Sequence, residues 1–158
     1  MIVRGIAARA SGLAVSLAGV GFVAAGLWAR HEVRTTLARE RIVSPADEAP
    51  VVDASAARSL AEMIRRSTLD AAGGRTYAET DLYLDAGRQP TSDRERALED
   101  ERSGQPVENP EHALWVQSTT LQTALMQAYM GSRLAELTIG LGAAFVAAGA
   151  GLTAAASR

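Results

Sequence analysis

The amino-acid sequence predicts an all-α membrane protein, two transmembrane helices flanking a small helical extramembrane head. Three observations carry this expectation. Uncharged apolar blocks stand at both ends of the 158-residue chain, over 10–29 and 137–157. At about 1.5 Å of rise per residue, each is close to the roughly 30 Å of a bilayer's hydrocarbon core. All eighteen acidic residues lie between Glu32 and Glu136, and no run between the blocks alternates apolar with polar residues as a half-buried strand would.

A short tail, residues 1–9, carries Arg4 and Arg9 ahead of the first block. Basic residues followed by an apolar run also describe a secretory signal, and Val23-Ala24-Ala25 would suit a peptidase. Two features favour retention as a first span: its 20 residues exceed the roughly 7–15 of a signal's apolar region, and Trp28 stands where an interfacial aromatic anchor belongs. Small residues recur every four positions at Ala10, Ala14 and Ala18, and again at Ala143, Ala147, Gly151 and Ala155. Such stripes let helix backbones approach closely in lipid, so they are the expected helix-packing faces. Neither block holds an ionisable side chain, which argues against a proton relay or ion path built from this chain alone.

Between the spans, residues 30–136 form the expected head. Val33, Leu37 and Ile42 follow helical spacing, so the first helix should run several turns past the interface before Ser44-Pro45 interrupts it. An extended connector over 44–52 follows. Asp53 or Ser55 is placed to cap a helix through Leu60, Met63, Ile64 and Leu69 that ends at Gly73-Gly74. Thr76 and Glu79 stand at capping-box spacing and should open a short helix through Leu82. Ser92 and Glu95 repeat that spacing within a polar segment near 85–108, which reads as a solvated helix or a partly disordered stretch. Asn109-Pro110 then supplies a cap and a first-turn proline. From there no strong breaker intervenes, and a single rod of about 72 Å from Pro110 to Ser157 is expected. Along it Leu114, Leu121, Leu125 and Tyr129, with Trp115, form the expected interaction surface, against which Leu60, Met63, Ile64 and Leu69 can also pack.

Composition narrows the function. There is no cysteine for a disulfide, thiolate or cysteine metal site, no lysine, and one asparagine, Asn109. The region 30–136 carries thirteen arginines against eighteen acids, an acidic balance that does not suit nucleic acid. His31 and His112, the two histidines, belong to no local ligand pair, and structural or solvent-facing roles are expected of both. Asp81 and Asp85 near Glu79 lack the register of a calcium loop; Gly73-Gly74 lacks the lysine of a phosphate loop. No catalytic, cofactor-binding or metal residues are assigned, and no cofactor is expected.

Residues 73–79, GGRTYAE, and 121–136, LQTALMQAYMGSRLAE, leading into the second apolar block, give the chain a resemblance to poorly characterised two-pass membrane proteins of actinobacteria. The likeness is one of plan: a membrane helix, a connector like Glu40-Arg41-Ile42-Val43, a helix ending in Gly-Gly, and a second membrane helix. It implies a cell-envelope location with the head outside. Some such proteins carry the label of aromatic ring-opening dioxygenase, which does not suit this chain: non-haem iron wants two histidines and a carboxylate together, and the whole head separates His31 from His112. The expected function is therefore that of a non-enzymatic accessory or scaffold subunit, partnered by other membrane subunits or by itself in the lipid bilayer. The alternative is an envelope sensing or binding module with an acidic head. Positive residues on the short tails place both termini in the cytoplasm, although Arg30, Arg34, Arg39 and Arg41 crowd the opposite flank.

Overall fold

A computed structural model describes residues 2–46 and 48–156, with three α-helices, α1 (Ile2–Glu40), α2 (Ala54–Ala71) and α3 (Pro110–Ala155). The chain divides into two compact units, 1–57 with 127–158, and 58–126. The expected ends of the chain, Met1, Ser157 and Arg158, lie outside the described residues.

In the first unit α1 and the later part of α3 are both long and apolar enough to cross a membrane. The helix takes in the short tail as far as Ile2, and it continues beyond Trp28 to Glu40, about 58 Å in all. It stops five residues before Pro45, and the next residue, Arg41, adopts a left-handed backbone (φ 50°). The connector is not extended as expected. It folds back on itself: Ser44 N donates to Ala49 O (2.9 Å), Val51 N to Ile42 O (2.9 Å), and Val43 bridges Pro50. Burial of Val51 at 1% exposure accounts for the reversal, since an extended strand would leave that side chain in solvent.

Helix α2 begins where the Asp53 carboxylate accepts Ala56 N (2.9 Å). It ends at two left-handed glycines, Gly73 and Gly74, with Gly74 N reaching back to Leu69 O at 2.8 Å. That pairing satisfies carbonyls the last turn would otherwise leave open. In the second unit Leu60, Ala61, Ala72, Trp115 and Leu125 are buried and make the apolar interior. Asn109 starts α3 by accepting Glu111 N (3.1 Å), and the helix runs unbroken through Gly131.

The stretch from 76 to 108 departs from expectation. Thr76 and Glu79 do form their reciprocal cap, Thr76 N donating to Glu79 Oε2 at 2.8 Å, but only a single 3-10 turn, Tyr77–Glu79, follows. The next carbonyls are diverted: Asn109 Nδ2 donates to Asp81 O (2.8 Å) and Asn109 N to Leu82 O (3.0 Å). The chain then forms two short strands, β1 (Tyr83–Leu84) and β2 (Pro90–Thr91), paired antiparallel. Bridges Asp85↔Ala97, Glu99↔Pro106 and Tyr83↔Glu108 fold the rest of the polar segment onto them. Instead of helix, this is a small β-type knot. Its turns are set by aspartates whose side chains take nearby N–H groups: Asp85 from Gly87 and Gln89, Asp93 from Glu95, Asp100 from Arg102 and Ser103. Those local bonds compete with helix formation, and the two apolar residues of the run are also tied to the strands, Ala97 by its bridge to Asp85 and Leu98 N by donating to Leu84 O at 2.8 Å.

Candidate functional site

The first unit is organised by a seam. Gly12, Gly19 and Gly26, seven residues apart on α1, are buried, as are Ala135, Gly142 and Gly149, seven apart on α3. A Cβ placed on Gly19 would stand 2.6 Å from the Gly142 carbonyl oxygen and 2.7 Å from Val146 N; one on Gly142 would stand 2.6 Å from Gly19 O and 2.7 Å from Val23 N. Backbone meets backbone at this crossing, and nothing but hydrogen fits. Further along, a Cβ on Gly12 would meet Gly149 O at 2.7 Å and one on Gly26 would meet Ala135 O at 2.8 Å, so the helices lie antiparallel over four turns. Between the glycines, Ser16 Oγ donates across the seam to Val146 O at 3.4 Å. Phe22 and Phe145 meet edge to face, centroids 5.8 Å apart. A seven-residue repeat of this kind keeps a contact line straight between two supercoiled helices.

The expected packing stripes lie elsewhere. Ala10, Ala14, Ala18, Ala143, Ala147, Gly151 and Ala155 are all exposed. Four-residue spacing turns about 40° around a helix at each step, whereas seven-residue spacing holds one face. The large side chains also point away from the seam: Leu17 is 71% exposed, Trp28 70% and Leu137 71%.

The interaction surface expected on α3 is likewise divided. Trp115 and Leu125 are buried in the chain's own interior, Leu114 and Leu121 are exposed, and Tyr129 is half-buried beneath the Arg133 guanidinium, 5.4 Å from its ring. The buried face of α3 in the second unit runs through His112, Trp115, Ser118 and Leu125. Two of its members are polar, so a pattern drawn through leucines alone falls to one side. Ser118 is satisfied within the helix by donating to Trp115 O (3.0 Å), and Trp115 Nε1 donates to Arg75 O (3.1 Å). Arg75 is held in turn by an ion pair with Glu111. Of the helix-packing partners proposed for this face, Leu60 is buried while Met63, Ile64 and Leu69 are half-buried.

At the start of α3 the β-type knot borders a solvent-open cavity of about 340 Å³ lined by Leu82, Tyr83, Arg94, Gln105, Pro106, Glu108 and His112. His112 is buried, stacks on Tyr77 (centroids 4.9 Å), and its Nδ1 has no hydrogen-bond partner among the described residues. The Arg94 guanidinium sits over the Tyr83 ring, 5.9 Å from its centroid. Sequence reasoning gave His112 a structural or solvent-facing role and missed the cavity, whose walls come from bridges that no periodicity announces. His31, by contrast, is exposed on α1.

The carboxylates of Asp81 and Asp85 are engaged by the fold. Asp81 accepts Ser92 Oγ (2.8 Å), and Asp85 pairs with Arg96 (3.6 Å) while capping its own turn. Among the described residues no group of three or more His, Asp or Glu side chains is arranged to hold a metal ion. Capping lowers three carboxyl pKa values. Asp53 is held below its usual range first by Ala56 N–H and then by the Ser55 hydroxyl, Glu79 by Thr76 N–H and then its hydroxyl, and Asp100 first by Ser103 N–H. Comparison with family models, curated proteins and solved structures finds no match to this chain.

Proposed function

We propose that this chain is a non-enzymatic, two-pass accessory or scaffold protein of a bacterial cytoplasmic membrane, contributing contact surface to other membrane subunits or to copies of itself. The observation that carries the reading is the division of labour on α1 and α3: glycines and alanine face each other along the seam, while Leu17, Trp28 and Leu137 face outward. A soluble hairpin would hide those residues, and only 17% and 11% of the two apolar windows are buried. With no hydrophobic drive between helices in lipid, close backbone packing is what holds such a pair together. Arginine on the short tails favours cytoplasmic termini with the head outside, and the resemblance to actinobacterial two-pass proteins agrees. Purification from native membranes in mild detergent tests the role. Stable co-migration with other membrane subunits, or a defined homo-oligomer, is expected; a monodisperse single chain would overturn it.

The cavity beside His112 favours a second reading, an envelope binding or sensing module, because it is lined by a buried histidine together with Arg94 and Glu108, neither of which takes part in an ion pair among the described residues.

A further inference from the structure

We propose that the cavity at the start of α3 binds a small zwitterion, a free α-amino acid or dipeptide, with its carboxylate on Arg94 and its ammonium on Glu108. The inference rests on the binding-module reading and is independent of the scaffold role. Both charges line the same cavity, yet among the described residues neither takes part in an ion pair. The backbone of Glu108 is held by its bridge to Tyr83 and by Asn109 N donating to Leu82 O at 3.0 Å. The Arg94 guanidinium lies over the Tyr83 ring.

A ligand bearing one charge of each sign answers both groups at once, and a ligand of a single charge leaves the other group facing its own kind. The remaining lining suits such a molecule. Tyr83, Leu82 and Pro106 offer an apolar wall for a side chain, Gln105 offers an amide, and the buried His112 ring completes the lining. The volume of about 340 Å³ is at the small end for ligand sites, enough for one or two residues. The pocket therefore selects first for a ligand that carries both charges.

The two histidines make the test direct. Full-length protein labelled in its histidine rings gives two imidazole signals, with exposed His31 as internal control. The probes are the twenty amino acids and alanyl-alanine, followed by N-acetylated and C-amidated forms of whichever binds. Saturable shifts of the His112 signal alone are expected for at least one probe, at millimolar affinity or tighter. Arg94→Gln and Glu108→Gln, both at exposed positions, should each weaken it by on the order of tenfold or more. Two results would overturn the proposal: no probe shifting His112, or capped forms and both variants binding as well as the originals. Saturable binding that ignores either charge would refute the zwitterion while leaving a binding module standing, whereas silence from every probe would remove both.

Discussion

Replacing Gly19 by alanine adds one methyl group where the structure has room for none. The new Cβ must retreat from 2.6 Å to the 3.4 Å at which ordinary contact with the Gly142 carbonyl begins, so the helices must part locally by about 0.8 Å. No side chain can move aside, because the obstruction is backbone. Overpacking of this kind costs about 1–3 kcal/mol. Gly142→Ala meets the mirror-image obstruction and should cost a similar amount. The double variant should cost clearly less than the sum, since one separation relieves both clashes. Gly21 and Gly140 provide the control, as a Cβ at either meets nothing within 4 Å. There alanine should be neutral or stabilising by up to about 1 kcal/mol through helix propensity. The chain lacks cysteine, so probes attached at Ala10→Cys and Ala155→Cys, both exposed, report helix separation by energy transfer during an SDS titration in mixed micelles. If Gly19→Ala and Gly21→Ala unfold at the same SDS fraction, the seam as described is wrong.

Other expectations concern the region between the helix ends. Asn109→Ala removes the cap of α3 and the bond to Asp81 O together, and should lower stability by about 1–3 kcal/mol in thermal unfolding. Asp53 has a carboxyl pKa lowered in the folded chain from an ordinary 3.8, so its stabilising effect is complete above that value and fades as pH falls through the lower folded one. Asp53→Asn should flatten the acid limb of stability in that window, measured by helical circular dichroism. Trp115→Phe keeps most of the packing but strands Arg75 O, and about 1–3 kcal/mol of destabilisation should follow in the same assay. Ser92→Cys should react with a membrane-impermeant thiol reagent in intact cells; labelling only after lysis would place the head inside.

The two apolar blocks, helix α2 with its Asp53 and glycine caps, and the Asn109-Pro110 start of α3 were legible because each rests on local chemistry. A cap, a left-handed glycine or a charge-free run acts within one or two turns. The seam was also written in the sequence, as Gly12, Gly19 and Gly26 at seven-residue intervals answered by Ala135, Gly142 and Gly149. It was obscured by the more numerous alanines at four-residue spacing, which form a stripe that drifts around the helix. The segment 83–108 offered no comparable signal. Its strands are two residues long, too short to show alternation, and they are held by partners tens of residues away, such as Glu108 for Tyr83. His112 escaped for a related reason: a polar residue between Pro110 and Leu114 marks no helix face until the knot that buries it is known.

The central claim is that α1 and α3 cross the bilayer as a hairpin closed along the glycine seam. Disulfide formation in native membranes between Ser16→Cys and Val146→Cys, positions whose hydroxyl and carbonyl oxygens lie 3.4 Å apart, tests it most directly. The account predicts a rapid intramolecular crosslink in membranes that keep the protein through an alkaline wash, and none between Ala14→Cys and Ala147→Cys on the exposed faces. Loss of the protein into the alkaline wash, or equal crosslinking of both pairs, would contradict it.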